Sequence, residues 1–191
     1  MKTNVYSSES ELKSIVPVTT DREAHPKRWI AALVQMCMEK KVGERLTKLG
    51  VENYVPTQTE IRQWSDRKKK VERVVIPMVV FVRTDEKTER SLRMHSFIRK
   101  ILTYPGQTAA AVIPDDQIDR LKFMLRQADS PVEMMEHLQV GDKVHIIRGA
   151  LQGLEGEFFK NVDKSMVAIH IEALGYACVS VSVEDIEKIE R

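Results

Sequence analysis

At Val140 the period of the chain changes, and no other feature of the sequence constrains the fold more. Before it, segments with apolar residues every three or four positions alternate with short apolar runs. After it only two-residue alternation remains: Val144 and Ile146, then Val167, Ile169 and Ile171, then Ala177, Val179, Val181 and Val183. A helix buries a stripe with a period of 3.6 residues and a strand buries one face with a period of two. Both patterns, in separate parts of one chain, predict two architectures. The first is α+β, with flanking helices packed on a mostly antiparallel sheet. The second, roughly 50 residues of short strands broken by glycine or polar turns, is predicted to be a small SH3-like β-barrel closed by the turn at 183–189.

Within the first part, the run "RWIAALVQ" at 28–35 reads as a buried strand. Met38, Val42, Leu46 and Leu49 then recur at helical steps, and Gly50 supplies a stop. "VENYVP" and "TEIRQW" read as strands, "SDRKKKVER" as a basic loop, and "VVIPMVVFVR" as a central strand bent at Pro77. A helix is expected over Glu89–Phe97, then strands in "RKILTY" and "AAVIP" around the turn "PGQ". In the next helix, Pro114, Asp115 and Asp116 suit the N-terminus, and Ile118, Leu121 and Leu125 form the buried stripe. The expected division is a flexible polar arm at 1–27, the α+β domain at 28–129, a linker at 130–139 and the barrel at 140–191.

The charge follows the same division. Residues 28–130 carry 20 basic and 13 acidic side chains, whereas residues 131–191 carry 6 and 11. A net +7 beside a net −5 points to two modules with different partners, the positive one near nucleic acid or an acidic protein surface. With 42% hydrophobic and 30% charged residues, the chain can build a core. No apolar run reaches the roughly 18 residues a membrane helix needs, the N-terminus has no secretory apolar region, and no membrane role is expected. Two cysteines in unlike contexts, Cys37 and Cys178, predict packing residues in a reducing cytosol rather than a disulfide framework.

The sequence offers little to an enzyme. It has no glycine-rich phosphate loop, no H-E-x-x-H and no C-x-x-C. The five histidines (25, 95, 137, 145 and 170) are scattered, and Asp115–Asp116 serves a helix start better than acid–base chemistry. No catalytic residue, metal or cofactor is expected. Two surfaces stand out instead. The run containing Arg67, Lys68, Lys69, Lys70 and Arg73 could meet DNA or RNA phosphates, or be a solvated hairpin tip; Trp64 beside it could stack on a base or belong to the core. Trp29, Leu33, Ile76, Val79 and Phe81 form an apolar face that is either ordinary sheet core or a depression for a partner helix.

The order of these motifs resembles the NusG-type transcription elongation factors. Trp29 at the first strand, Glu39–Val42 in an E-K-K-V-type helix, Val55–Pro56 and the P-x-x-V-F-V strand at Pro77–Val82 match the family's N-terminal (NGN) domain. "AAVIPDDQIDRL" resembles its third-helix entry. Val140–Ile146 and the glycines Gly149, Gly153 and Gly156 resemble the KOW motif that opens its C-terminal barrel.

The resemblance implies a monomer that binds bacterial RNA polymerase. The depression Leu33, Ile76, Val79 and Phe81, supported by Trp29, would take the clamp helices, and a segment at Arg90 and Ser91 would face the opposite side of the cleft. Favouring the closed clamp would suppress pausing or termination. The KOW loop, Gly149, Ala150, Leu151, Gly153 and Gly156, could meet a ribosomal or regulatory protein. Three departures from the general factors stand out: Met78–Val79 for Gly-Tyr after the proline, Ala150–Leu151 for Pro-Phe, and Leu174–Gly175 for Phe-Gly. They make the chain more like the UpxY-type antiterminators of capsular polysaccharide loci. A KOW-containing RNA- or ribosome-binding protein is the alternative, against which the acidic barrel argues.

Overall fold

The computed structural model describes residues 26–63, 68–137, 141–161 and 164–189. The α+β part contains β1 (Arg28–Leu33), α1 (Glu39–Lys48), β2 (Glu52–Tyr54), β3 (Thr57–Gln63), β4 (Lys68–Val74), β5 (Val79–Thr84), α2 (Glu86–Leu92), β6 (Lys100–Ile101), β7 (Val112–Ile113) and α3 (Asp115–Gln127). Its sheet runs β2-β5-β1-β6, with β7 also paired to β1, and every pairing is antiparallel.

The pleat decides what each face receives. In the β1–β5 register Leu33 lies opposite Val79 and Ala31 opposite Phe81. Ile30, Ala32, Val80 and Val82 therefore share one face, where they pack with Val42 and Leu46 of α1 and Leu92 of α2. Trp29, Ala31, Val79 and Phe81 share the other, which packs against Ile118, Leu121, Met124 and Leu125 of α3. The α3 stripe at steps of three and four is the one the sequence predicts, with Met124 added.

The all-β part contains β8 (Glu133–Met135), β9 (Lys143–Ile146), β10 (Glu155–Asn161), β11 (Lys164–Ile171), β12 (Gly175–Ser180), a short 3-10 turn (Val183–Asp185) and β13 (Ile186–Lys188). They form one antiparallel sheet in the order β13-β9-β10-β11-β12-β8. Val144, Ile146, Val167, Ile169, Ile171, Ala177 and Val179 join the same buried cluster as Trp29 and Phe81, so the two parts share a core.

Several local expectations change. The helix expected at Glu89–Phe97 begins earlier, because the Asp85 carboxylate accepts from the Thr88 amide at 2.7 Å and caps α2. The basic "loop" is strand β4 from Lys68 onward, paired with β3 over seven residues in a two-stranded ribbon outside the main sheet. The central strand begins at Val79, after a turn in which Met78 takes φ +63° and donates its amide to the buried Glu39 carboxylate at 2.7 Å. Residues 133–135, inside the segment expected to link the domains, form β8 and pair with β12. The N-terminal arm up to residue 25, Trp64, Arg67 and Val140 lie outside the described residues.

Candidate functional site

The apolar face is built by the central strands β1 and β5. Phe81, Val79, Trp29 and Ile76 are buried, at no more than 5% exposure, whereas Leu33 at the end of β1 is half-buried. Phe81 stacks on Tyr54 of β2 with ring centroids 6.1 Å apart. The Lys122 ammonium of α3 lies 5.0 Å from the Trp29 ring centre and 5.6 Å from that of Tyr54, a cation held between two aromatic faces. Burial pushes the Tyr54 phenol up to about 12, although nearby Arg126 pulls it the other way.

That shift has a measurable consequence. A phenol whose pKa is raised in the folded state supports folding below its unfolded value near 10 and loses that support as pH rises towards 12. Stability of the parent chain is therefore expected to fall through this window, measured by urea unfolding. Tyr54→Phe should flatten that part of the pH profile.

The face does not end at the α+β part. The Gln117 side chain of α3 accepts from the Glu172 amide at 2.7 Å, across to the turn after β11. A buried glutamine makes a second connection. Gln58 of β3 donates Nε2 to the Ser130 carbonyl at 2.9 Å and accepts from the Val132 amide at 2.9 Å. Beside it, Arg73 Nη2 donates to the Val132 carbonyl at 2.9 Å and Nε bonds the Glu60 carboxylate. No sequence pattern flags Gln58, because its partners lie more than 70 positions away.

The basic ribbon is therefore divided. Lys69 and Lys70 are exposed on β4, but Arg73 is engaged by Glu60 and Val132 and is not an open cation. Arg90 and Ser91 are exposed on α2, where Arg90 pairs with Glu86 one turn earlier. These polar residues are not in the apolar cluster of Trp29 and Phe81.

The glycine loop between β9 and β10 is a tight return. Gly149 and Gly153 take φ +82° and +93°, and the Gly153 amide bonds the Ile146 carbonyl at 2.9 Å. Leu151 is buried and Ala150 exposed, so the loop turns an anchor inward and a small side chain outward. Leu151 and Ala150 line a cavity of about 240 Å³ that also reaches Asp129, Ser130 and Ser182. Gly156 has a different reason to be glycine: a Cβ there would lie 2.7 Å from the Ala168 carbonyl oxygen and 2.6 Å from a Val167 methyl. Gly156→Ala is expected to cost about 1–3 kcal/mol, read as a lower urea midpoint.

Among the described residues no group of three metal-ligating side chains could hold a metal ion, and no helix is long and apolar enough to cross a membrane. Comparison with curated proteins returns no match. Solved structures of similar chains include a study of domain interaction in Thermotoga maritima NusG, at 21% identity, covering 86% of this chain and 98% of that one with a TM-score of 0.45. Another is the MjSpt4:Spt5 complex in its conformation B, at 19% identity, covering 85% and 97% with a TM-score of 0.25. The family model described as "Transcription termination factor nusG" matches residues 27–122, the whole sheet with α1, α2 and most of α3. By that match, across half of its length, this chain belongs to the NusG family of transcription factors, which are not enzymes.

Proposed function

We infer that this chain is an elongation and antitermination factor that docks on bacterial RNA polymerase through residues 28–129 and presents residues 140–191 to a second partner. The family match carries the reading. The apolar sheet end at Leu33, Ile76 and Val79 supports it as the seat for the clamp helices. Val79 and Phe81 lie under α3 in the buried cluster, so the assembled sheet does not present them directly to a partner. Leu33, half-buried at the margin, is the residue a partner meets first. The exposure of Lys69 and Lys70 on the ribbon supports a contact with phosphates of upstream DNA or nascent RNA.

The finer reading is a specialised factor of a capsular or exopolysaccharide operon. Ala150 and Leu151 support it: the inward Leu151 keeps the loop's shape while the outward Ala150 offers a general partner no aromatic anchor. Leu33→Glu is expected to abolish co-purification with polymerase and terminator read-through while the unfolding midpoint falls far less than for a fully buried site, since Leu33 is only partly buried at the edge of the cluster. Undiminished polymerase binding by that variant would overturn the docking face. Read-through that is equal on an exopolysaccharide leader and on unrelated templates would overturn the specialised role alone.

A further inference from the structure

The accessible margin of the apolar face is formed by two neighbouring chain segments. Leu33 and Met78 are half-buried and Pro77 is exposed, whereas Ile76 and Val79 are buried. What a partner meets there depends on the shape of the turn at 76–78. That turn is not a relaxed one. Met78 takes φ +63°, the left-handed region, where a Cβ crowds the following carbonyl oxygen. For a residue other than glycine this conformation is disfavoured by about tenfold in equilibrium constant.

Two hydrogen bonds hold it. The Met78 carbonyl accepts from the Val34 amide at 2.8 Å, one step beyond the Leu33–Val79 pair, so the turn lies directly beside Leu33. The Met78 amide donates to the Glu39 carboxylate at 2.7 Å. Glu39 is the first residue of α1 and only 4% exposed. Among the described residues the bond to Met78 is the one hydrogen bond its side chain makes, and it is in no ion pair. A carboxylate withdrawn from water without a cation beside it is unfavourable. The N-terminus of α1 offsets part of this, because the helix dipole favours negative charge there. The charge also makes the carboxylate a stronger acceptor for the Met78 amide than a neutral side chain would be.

We propose that Glu39 is a positioning residue for polymerase docking: its carboxylate holds Met78 in the left-handed conformation and so sets Pro77 and Met78 beside Leu33 as one margin. The proposal rests on the docking face described above. Without the Glu39 carboxylate the turn relaxes, and a partner that needs the original shape binds only the fraction of molecules that still has it.

The test is titration of bacterial core RNA polymerase with the labelled full chain, at a temperature where circular dichroism shows each variant folded. Glu39→Ala should weaken binding about tenfold, the factor by which the left-handed state is disfavoured. Met78→Gly in the same chain should restore binding to within about threefold of the parent, because glycine enters that region without the crowding of a Cβ. If Glu39→Ala does not fold, the comparison is made on Glu39→Gln, which keeps its shape and a weaker acceptor oxygen. That variant should lose about threefold, and Met78→Gly should recover the loss. A residue that merely stabilised α1 would not be rescued by a change at position 78. Failure of Met78→Gly to restore binding therefore overturns the proposal, as does parental affinity in a folded Glu39→Ala chain. Leu33→Glu, measured alongside, reports on the docking face itself: normal binding by that variant overturns the face whatever the outcome at Glu39.

Discussion

Phe81→Asp is expected to abolish cooperative folding of the α+β part. Phe81 has no solvent exposure, pairs with Ala31 across the central strands and stacks on Tyr54. Removing a buried phenylalanine costs about 3–5 kcal/mol. A carboxylate placed there has no cationic partner across the strand and is desolvated, at several kcal/mol more. The sum rivals the roughly 5–15 kcal/mol that holds a domain together. Circular dichroism on heating should show no sharp transition, and loss of polymerase binding by this variant would then report unfolding rather than a severed contact. A cooperative melt near the parent midpoint would show that the Phe81 site is open to water. Leu33→Glu therefore separates docking from folding, whereas Phe81→Asp does not.

Gln58→Leu is expected to destabilise the chain by about 2–4 kcal/mol. Leucine keeps much of the volume but strands the Val132 amide and the Ser130 carbonyl, at about 1–3 kcal/mol for each buried group left unpaired. The loss should be localised. The Val132 amide, buried and hydrogen-bonded to Gln58 in the parent, should exchange with solvent deuterium several orders of magnitude faster in the variant. Arg73→Met should be strongly non-additive with it, since both side chains bond Val132. Equal urea midpoints for parent and Gln58→Leu would mean that segment 128–132 contributes nothing to holding the units together.

Gln58 and Arg73 tie the β3–β4 ribbon to the backbone that leads into the all-β part, and Gln117 ties α3 to the turn after β11.

Local errors in the sequence reading had local physical causes. The α2 start was set by a single carboxylate, Asp85, three residues ahead of the amide it caps, a stronger signal than the apolar residues at its far end. The lysine run looked like a loop because charge correlates with exposure, and the exposed Lys69 and Lys70 of a two-stranded ribbon are strand residues all the same. Residues 133–135 showed no period because β8 is three residues long, too short for alternation to register. Asp115–Asp116, the α3 stripe and the glycines of the KOW-like loop were legible because each carries its own local reason: helix dipole, helical repeat, positive φ.

By itself the sequence determined the two architectures and their order, since periods of 3.6 and two are local properties that survive any arrangement of the pieces. It also determined the family, whose motifs are read in order along the chain. Only the tertiary structure decided which apolar residues a partner can reach and which cations are free. Leu33 and Phe81 look alike as letters, but one ends a strand at a margin and the other lies beneath α3. Arg73 and Arg99 look alike as charges, but one is held by Glu60 and Val132 and the other faces water. Accessibility and ion pairing are sums over neighbours from distant parts of the chain, and those neighbours exist only once the sheet, α3 and the second unit have closed on one another.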